Sequence, residues 1–291
     1  MADSSQGSKS KWFRQAGVLT ALPASLFLLI GFAGPLLMVV GYSFMPSKSF
    51  SLMQTPTVEN YVSIVTSSYY ISFFWSLVLA LSTVILLFII CYPIAYGMAK
   101  LFNKWANLVT ALIAVPILIS ENIRLFGWVL ILLKNGILDG SLQTLFGTTA
   151  SGLLFTVPAI VLGLVYVYLP FTLFPLVIGI SMVPDTLKEA ASDLGATRWQ
   201  IFREIELPLS MPGFMIGGIL TFVLVLGSLA EAKILGGQAI VMIADDIESA
   251  FTFAQNWPKG SALSVLLIAL SGVIVFILFR RVDLDKVIGR R

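Results

Sequence analysis

A chain of 291 residues that is 58% hydrophobic and 11% charged, with a mean hydropathy of +0.95, carries less than half the charge of a soluble domain, which is about one quarter charged. It reads as an integral membrane protein whose 18 basic and 15 acidic residues, net +3, are too evenly balanced for a nucleic-acid surface. Histidine is absent and the one cysteine, Cys91, lies in an apolar run, which excludes His-ligated metal sites, nucleophiles that need a His base, and any intrachain disulfide.

Crossing about 30 Å of hydrocarbon takes roughly 20 consecutive apolar residues in a helix. Six stretches qualify: 17–42, 73–99, 106–133, 152–182, 212–230 and 261–279. Before the first stands the polar head MADSSQGSKSKWFR, so residues 1–16 read as a flexible cytoplasmic tail. The first apolar stretch outruns the roughly 7–15 residues of a signal-peptide core and is expected to remain as a span. Residues 17–280 then form an all-α membrane domain of six transmembrane helices, followed by a cytoplasmic tail at 281–291. With the amino terminus inside, the inner side collects thirteen of the 18 basic residues, among them Lys9, Lys11, Arg14, Lys100, Lys104, Lys188, Arg198, Arg203 and Arg280. The outer side holds four, Lys48, Lys134, Lys233 and Lys259. Both termini and the loop at 183–211 are therefore expected in the cytoplasm.

Within the third span, Glu121 and Arg124 are three residues apart and share one helix face. A charged side chain in mid-membrane costs at least about 2.5 kcal/mol, so both are expected to face the protein interior or a wet cavity. Two readings are open: a polar station on a solute path, or a mutually neutralising pair that locks the helices together. In the fourth span Pro158, Pro170 and Pro175 are expected to kink the helix and free backbone carbonyls. Tyr166 and Tyr168 there are candidates for holding an ammonium over an aromatic ring, with plain packing as the other reading; Tyr166 is kept as a path candidate.

The stretch EAASDLGATRWQIFREIELP at 189–208 is a charged insert between two apolar runs. Thr186 with Glu189 has the spacing of a capping box, and Leu187, Ala190, Ala191 and Leu194 recur on one face of a short helix. Gly195 is placed to end it in the left-handed conformation. Thr197 with Gln200 repeats the cap, and a second short helix is expected to stop before Pro208. This double elbow either lies along the membrane interface or docks a partner.

After the fifth span, MIADDIESAFTF places Ile243, Ile247 and Phe251 four apart, which predicts a short amphipathic outer helix. Its acids Asp245, Asp246 and Glu248 are either a solvated face or a surface that docks a binding protein and attracts cations.

The pattern E-A-A-x-x-x-G followed after nine residues by I-x-L-P, here Glu189, Ala190, Ala191, Gly195, Ile205, Leu207 and Pro208, resembles the EAA loop of membrane subunits of binding-protein-dependent ABC importers. GLVYVYLPFTLFPL at 163–176, LGG at 235–237 and NWPKGSALS at 256–264 are similar to the spermidine/putrescine permease branch of that family, and the likeness covers roughly 60–279. The resemblance implies a type I importer fold with a cytoplasmic double coupling helix between spans 4 and 5, in a bacterial inner membrane. It also implies three kinds of protein partner: an ATPase dimer that takes the elbow in a groove, a second homologous permease completing a heterodimer, and an extracytoplasmic solute-binding protein. In that arrangement the chain binds no cofactor itself; ATP and Mg sit on the ATPase, in keeping with the lack of a G-x-x-x-x-G-K-[ST] phosphate loop here. The implied solute is a polyamine or related cation, with ferric iron, an oxyanion or an amino-acid derivative as alternatives. A secondary transporter would need an internal repeat and a coupling-ion site, and an intramembrane protease would need a catalytic dyad or paired aspartates; neither pattern occurs.

Overall fold

The computed structural model describes residues 22–102, 104–147 and 152–280, and contains no strand among them. The tails at 1–16 and 281–291, with their basic residues, lie outside the described residues. Helices are what lipid imposes, because only a helix satisfies its own backbone hydrogen bonds without water. Six candidate spans are described: Leu22–Ser43 (α1), Tyr69–Leu101, Glu121–Leu145, Val157–Ser181, Arg198–Leu226 and Trp257–Arg280.

The chain divides into two compact units. One comprises the described residues of Met1–Thr66 together with Ser249–Leu266. In it α1 leads into a loop and then α2 (Glu59–Thr66). Phe27 and Phe32 on α1 are 78% and 76% exposed, as suits a helix that presents its side chains to lipid. Two buried asparagines hold the loop after it. Asn60 donates to the carbonyls of Ser43 (3.1 Å) and Met45 (2.7 Å), while Asn256 of the NWPKG stretch donates to Ser47 Oγ (2.7 Å) and accepts from Lys48 N (3.1 Å). Trp257 beside it is edge-on to Tyr42 and Phe50.

The second unit, Ser67–Glu248 with the described part of Leu267–Arg291, carries the larger core. Helix α3 (Tyr69–Tyr96) continues through a π-turn at Gly97–Leu101. Helix α7 (Val157–Ser181) lies against α3 and α10 (Leu207–Leu226), burying Ile160, Leu164, Leu173 and Leu176. Lipid removes the hydrophobic drive for helices to associate, so close van der Waals contact must supply it. Small residues at the α7–α10 crossing allow that contact. Thr172 and Thr221 hydroxyls meet there at 2.6 Å in the buried interior.

The third span differs from its reading as one helix over 106–133. That stretch is divided into α4 (Trp105–Ala114) running into a 3₁₀ turn at Val115–Leu118, an extended step at Ile119 and Ser120, and then α5 (Glu121–Leu132), where the third candidate span, Glu121–Leu145, begins. Pro116 in the first turn of the 3₁₀ segment removes a helix donor, and continuous hydrophobicity does not register such a break. A further helix, α6 (Ile137–Phe146), follows where a loop was expected. By contrast α7 is one continuous helix through Pro170 and Pro175.

Candidate coupling surface and intramembrane polar cluster

The elbow begins at α8 (Asp185–Asp193). Its N-cap is Pro184, not Thr186, and no side chain caps it; Thr186 stands inside the first turn. The Asp185 carboxylate is taken by lysines: Lys100 Nζ lies 3.0 Å and Lys188 Nζ 2.9 Å from its Oδ1. Together they hold that carboxyl below the usual carboxylate range, the Lys188 hydrogen bond being the larger effect.

The end of α8 is as the sequence predicts. Gly195 has φ +84°, the N–H of Ala196 reaches the carbonyl of Ala191 (3.0 Å) and that of Gly195 the carbonyl of Ser192 (2.9 Å), a Schellman termination. Nothing lies within 4 Å of a Cβ built on Gly195, so backbone conformation rather than space requires glycine.

The Thr197 capping box is present: Gln200 N donates to Thr197 Oγ1 (3.3 Å) and Thr197 N to Gln200 Oε1 (2.8 Å). It opens α9 (Arg198–Ile201). That helix does not stop before Pro208, however. A π-turn at Phe202–Glu206 carries it into α10, where Pro208 falls in the first turn and its missing donor is tolerated.

Of the residues in the EAA pattern, Glu189, Ala190, Gly195 and Pro208 are exposed, and Ala191, Ile205 and Leu207 half-buried. Leu194 and Trp199 are 89% and 67% exposed. Phe202 packs edge-on against Tyr92 of α3, and Lys188 reaches Glu206 Oε1 at 3.2 Å. The elbow thus combines side chains stitched to the bundle with exposed apolar ones.

Inside the bundle, Glu121 and Arg124 occupy the first turn of α5, both half-buried. No ion pair joins them. The Arg124 guanidinium instead stands 5.7 Å from the Tyr166 ring centroid, with Trp128 edge-on to Tyr166 at 5.6 Å. Arg124 Nε is buried without a hydrogen-bond partner. Trp128 and Tyr166 also line an apolar groove of about 550 Å³ with Leu86, Val161, Val165 and Leu169.

Sequence reading missed Glu231. It lies on α11 (Ala230–Ile234), fully buried, and its Oε2 accepts from Ser228 Oγ while Oε1 has no partner. Tyr168 faces this carboxylate, Glu121 lies within its electrostatic reach, and a Cβ on Gly163 would stand 3.5 Å from its Cγ. Gly163 is six residues, about 9 Å, inside the span that starts at Val157. The signal was available: Glu231 interrupts apolar sequence directly after the fifth span.

Helix α12 (Ile243–Thr252) forms where the periodicity predicts it. Asp245 Oδ2 accepts from Met242 N (3.2 Å), Glu248 is ion-paired with Lys233, and Ser76 Oγ of α3 accepts from Ile243 N at 2.9 Å. Burial raises the Asp245 carboxyl above the ordinary carboxylate pKa.

Residues 92–286 match the family described as binding-protein-dependent transport system inner membrane component. The chain belongs to this family. It is a multi-pass inner-membrane permease of a binding-protein-dependent ABC importer. The permease is 33% identical to the spermidine/putrescine transport system permease protein PotB of Haemophilus influenzae over 88% of this chain and 90% of the relative. It is 32% identical to PotB of Escherichia coli over 84% and 90%. A molybdenum transport system permease protein, ModB of Azotobacter vinelandii, is 28% identical over 64% and 84%. Its fold is similar to that in the crystal structure of a bacterial ABC transporter involved in the import of the acidic polysaccharide alginate. There the TM-score is 0.66 at 18% identity, covering 94% of this chain and 97% of that one. A second structure of a bacterial alginate ABC transporter, in complex with an alginate pentasaccharide-bound periplasmic protein, gives a TM-score of 0.61 at 17% identity, covering 93% of each chain.

Proposed function

We propose that the permease imports a polyamine or related cation, handed over by an extracytoplasmic binding protein and released inward by alternating access. The observation that carries the cation reading is Glu231, a fully buried carboxylate at span depth with one oxygen unpartnered and no ion-pair partner. Glu121 lies within its electrostatic reach, so an incoming ammonium chain would meet two carboxyl groups beside the single guanidinium of Arg124. Tyr166 and Tyr168 add aromatic faces suited to alkylammonium groups. The likeness to PotB points the same way.

The work comes from a partner ATPase dimer that holds ATP and Mg; the permease itself binds no cofactor. Its elbow, with Glu189, Ala190 and Gly195 outward, seats in the ATPase, and a second homologous permease completes the path as a heterodimer. Both termini and the elbow are cytoplasmic, whereas Asp245, Asp246 and Glu248 face the binding protein. ATPase closure then biases the spans toward the outward-open state, and hydrolysis releases them.

A second reading, an oxyanion as solute, is favoured by the unpartnered Nε of Arg124. Proteoliposomes holding the whole importer decide between them: ATP-driven uptake of labelled spermidine or putrescine that falls at least tenfold in Glu231→Gln supports the cation. Uptake of molybdate alone, unaffected by Glu231→Gln, refutes it.

A further inference from the structure

Two interruptions of regular helix stand about 100 residues apart in the chain, yet they come together at the elbow. The π-turn at Gly97–Leu101 carries Lys100, and the π-turn at Phe202–Glu206 ends on Glu206. Between them sits the first turn of α8 with Asp185 and Lys188. Lys100 Nζ donates to the carbonyl of Val183 (2.7 Å) and lies 3.0 Å from Asp185 Oδ1. The same Oδ1 receives Lys188 Nζ at 2.9 Å, and Lys188 continues to Glu206 Oε1 at 3.2 Å. The Tyr96 hydroxyl donates to that Oε1 at 3.3 Å, and the Lys188 ammonium stands 5.6 Å from the Tyr96 ring centroid. Two lysines and two carboxylates thus close a charge-neutral ring that begins and ends on α3 and its continuation.

Three features separate this ring from ordinary surface pairing. Its members are shielded: the side chains of Lys100, Lys188 and Glu206 are 12%, 17% and 14% exposed, and only Asp185, at 62%, is open. Shielded pairs are screened little by salt and do not trade readily for water. The ring also joins three elements with distinct tasks: the end of the second span, the coupling helix, and the entry to the fifth span. Finally, two of its members sit in or at the end of π-turns, which are uncommon and recur at functional sites.

We propose that Lys188 and Lys100 are positioning residues for energy coupling: the ring binds the elbow to the second and fifth spans, so displacement of the elbow moves both spans together. The proposal rests on the elbow being the seat of the ATPase. Glu189, Ala190 and Gly195 hold the motor, and the ring passes its motion on. Without it, the elbow stays docked but slides relative to the spans, and ATP is hydrolysed without matching transport.

The test uses the complete importer in proteoliposomes, with Lys188→Met and, as a milder change that keeps the Tyr96 acceptor, Glu206→Gln. Three quantities are read: ATPase retained on purification, ATP hydrolysis rate, and solute accumulated per ATP. Both variants are expected to retain the ATPase and hydrolyse within about twofold of wild type, while solute per ATP falls about tenfold, in the range of known coupling effects. Lys188→Arg, which preserves the charge, is expected to restore most of it. Unchanged solute per ATP in both variants overturns the proposal. So does loss of the ATPase from both, because the ring would then merely shape the elbow. A wild-type permease that retains no ATPase removes the docking reading itself, and this proposal with it.

Discussion

Gly179 of α7 and Gly213 of α10 cross so closely that a Cβ on Gly179 would stand 2.7 Å from the Gly213 Cα and 2.8 Å from the Ser210 carbonyl oxygen. The atoms in the way are backbone, so neither helix can yield by a side-chain rotation. Gly179→Val is expected to destabilise the permease by about 2–3 kcal/mol through overpacking. Thermal unfolding in detergent checks it; a melting temperature equal to wild type would show that the helices separate freely. At Gly217 the clearance to the Thr172 carbonyl is 3.0 Å, so Gly217→Ala is expected to be milder.

Gly195, at φ +84° with open space around it, poses the opposite problem. Gly195→Ala is expected to cost about 1–2 kcal/mol of elbow stability, and Gly195→Asn less, since asparagine tolerates the left-handed region. Retention of the ATPase should follow the order Gly, Asn, Ala. An alanine variant that holds the ATPase as well as wild type would detach the bend from docking.

The lysines that hold Asp185 give the elbow a pH signature. Because the folded pKa of Asp185 lies below its unfolded value, the contribution is fully present above about pH 4 and is lost as pH falls through the depressed value. Wild type should therefore be more stable than Asp185→Asn at neutral pH, with the difference shrinking only in strong acid. A difference that persists undiminished at pH 2 would mean that the carboxylate charge is not what matters.

Asp245 has the reverse sign. Burial raises its pKa, so the folded state favours the proton, and its ionisation weakens the fold as pH rises from about 4 toward the raised value. Asp245→Asn keeps the acceptor for Met242 N and removes the charge, so it is expected to raise thermal stability at neutral pH but not below pH 4. If Asp245 and Asp246 also receive the binding protein, Asp245→Asn with Asp246→Asn should reduce uptake at low ionic strength and flatten its salt dependence. Uptake identical to wild type at every salt concentration would confine both acids to a structural role.

What the sequence by itself determined here is whatever depends on neighbours along the chain. The all-α membrane class, most of the spans, the left-handed Gly195, the Thr197 and Gln200 cap, and the α12 helix follow from local composition, periodicity and backbone preference, because lipid or a single turn enforces each of them. Thr186 and Glu189 had the right spacing for a cap, yet the chain enters α8 two residues too early for it, at Pro184. Tertiary structure decided the rest. The break before Glu121 is a matter of backbone direction, which apolar composition does not record. Arg124 chose the Tyr166 ring over the carboxylate one turn away, and Glu231 went into the core rather than to a loop surface, because packing against α5 and α7 sets what each side chain can reach. Lys100, Asp185, Lys188 and Glu206 look in sequence like scattered solvated charges. They become one ring only where three distant segments meet, since coulombic attraction depends on distance in space.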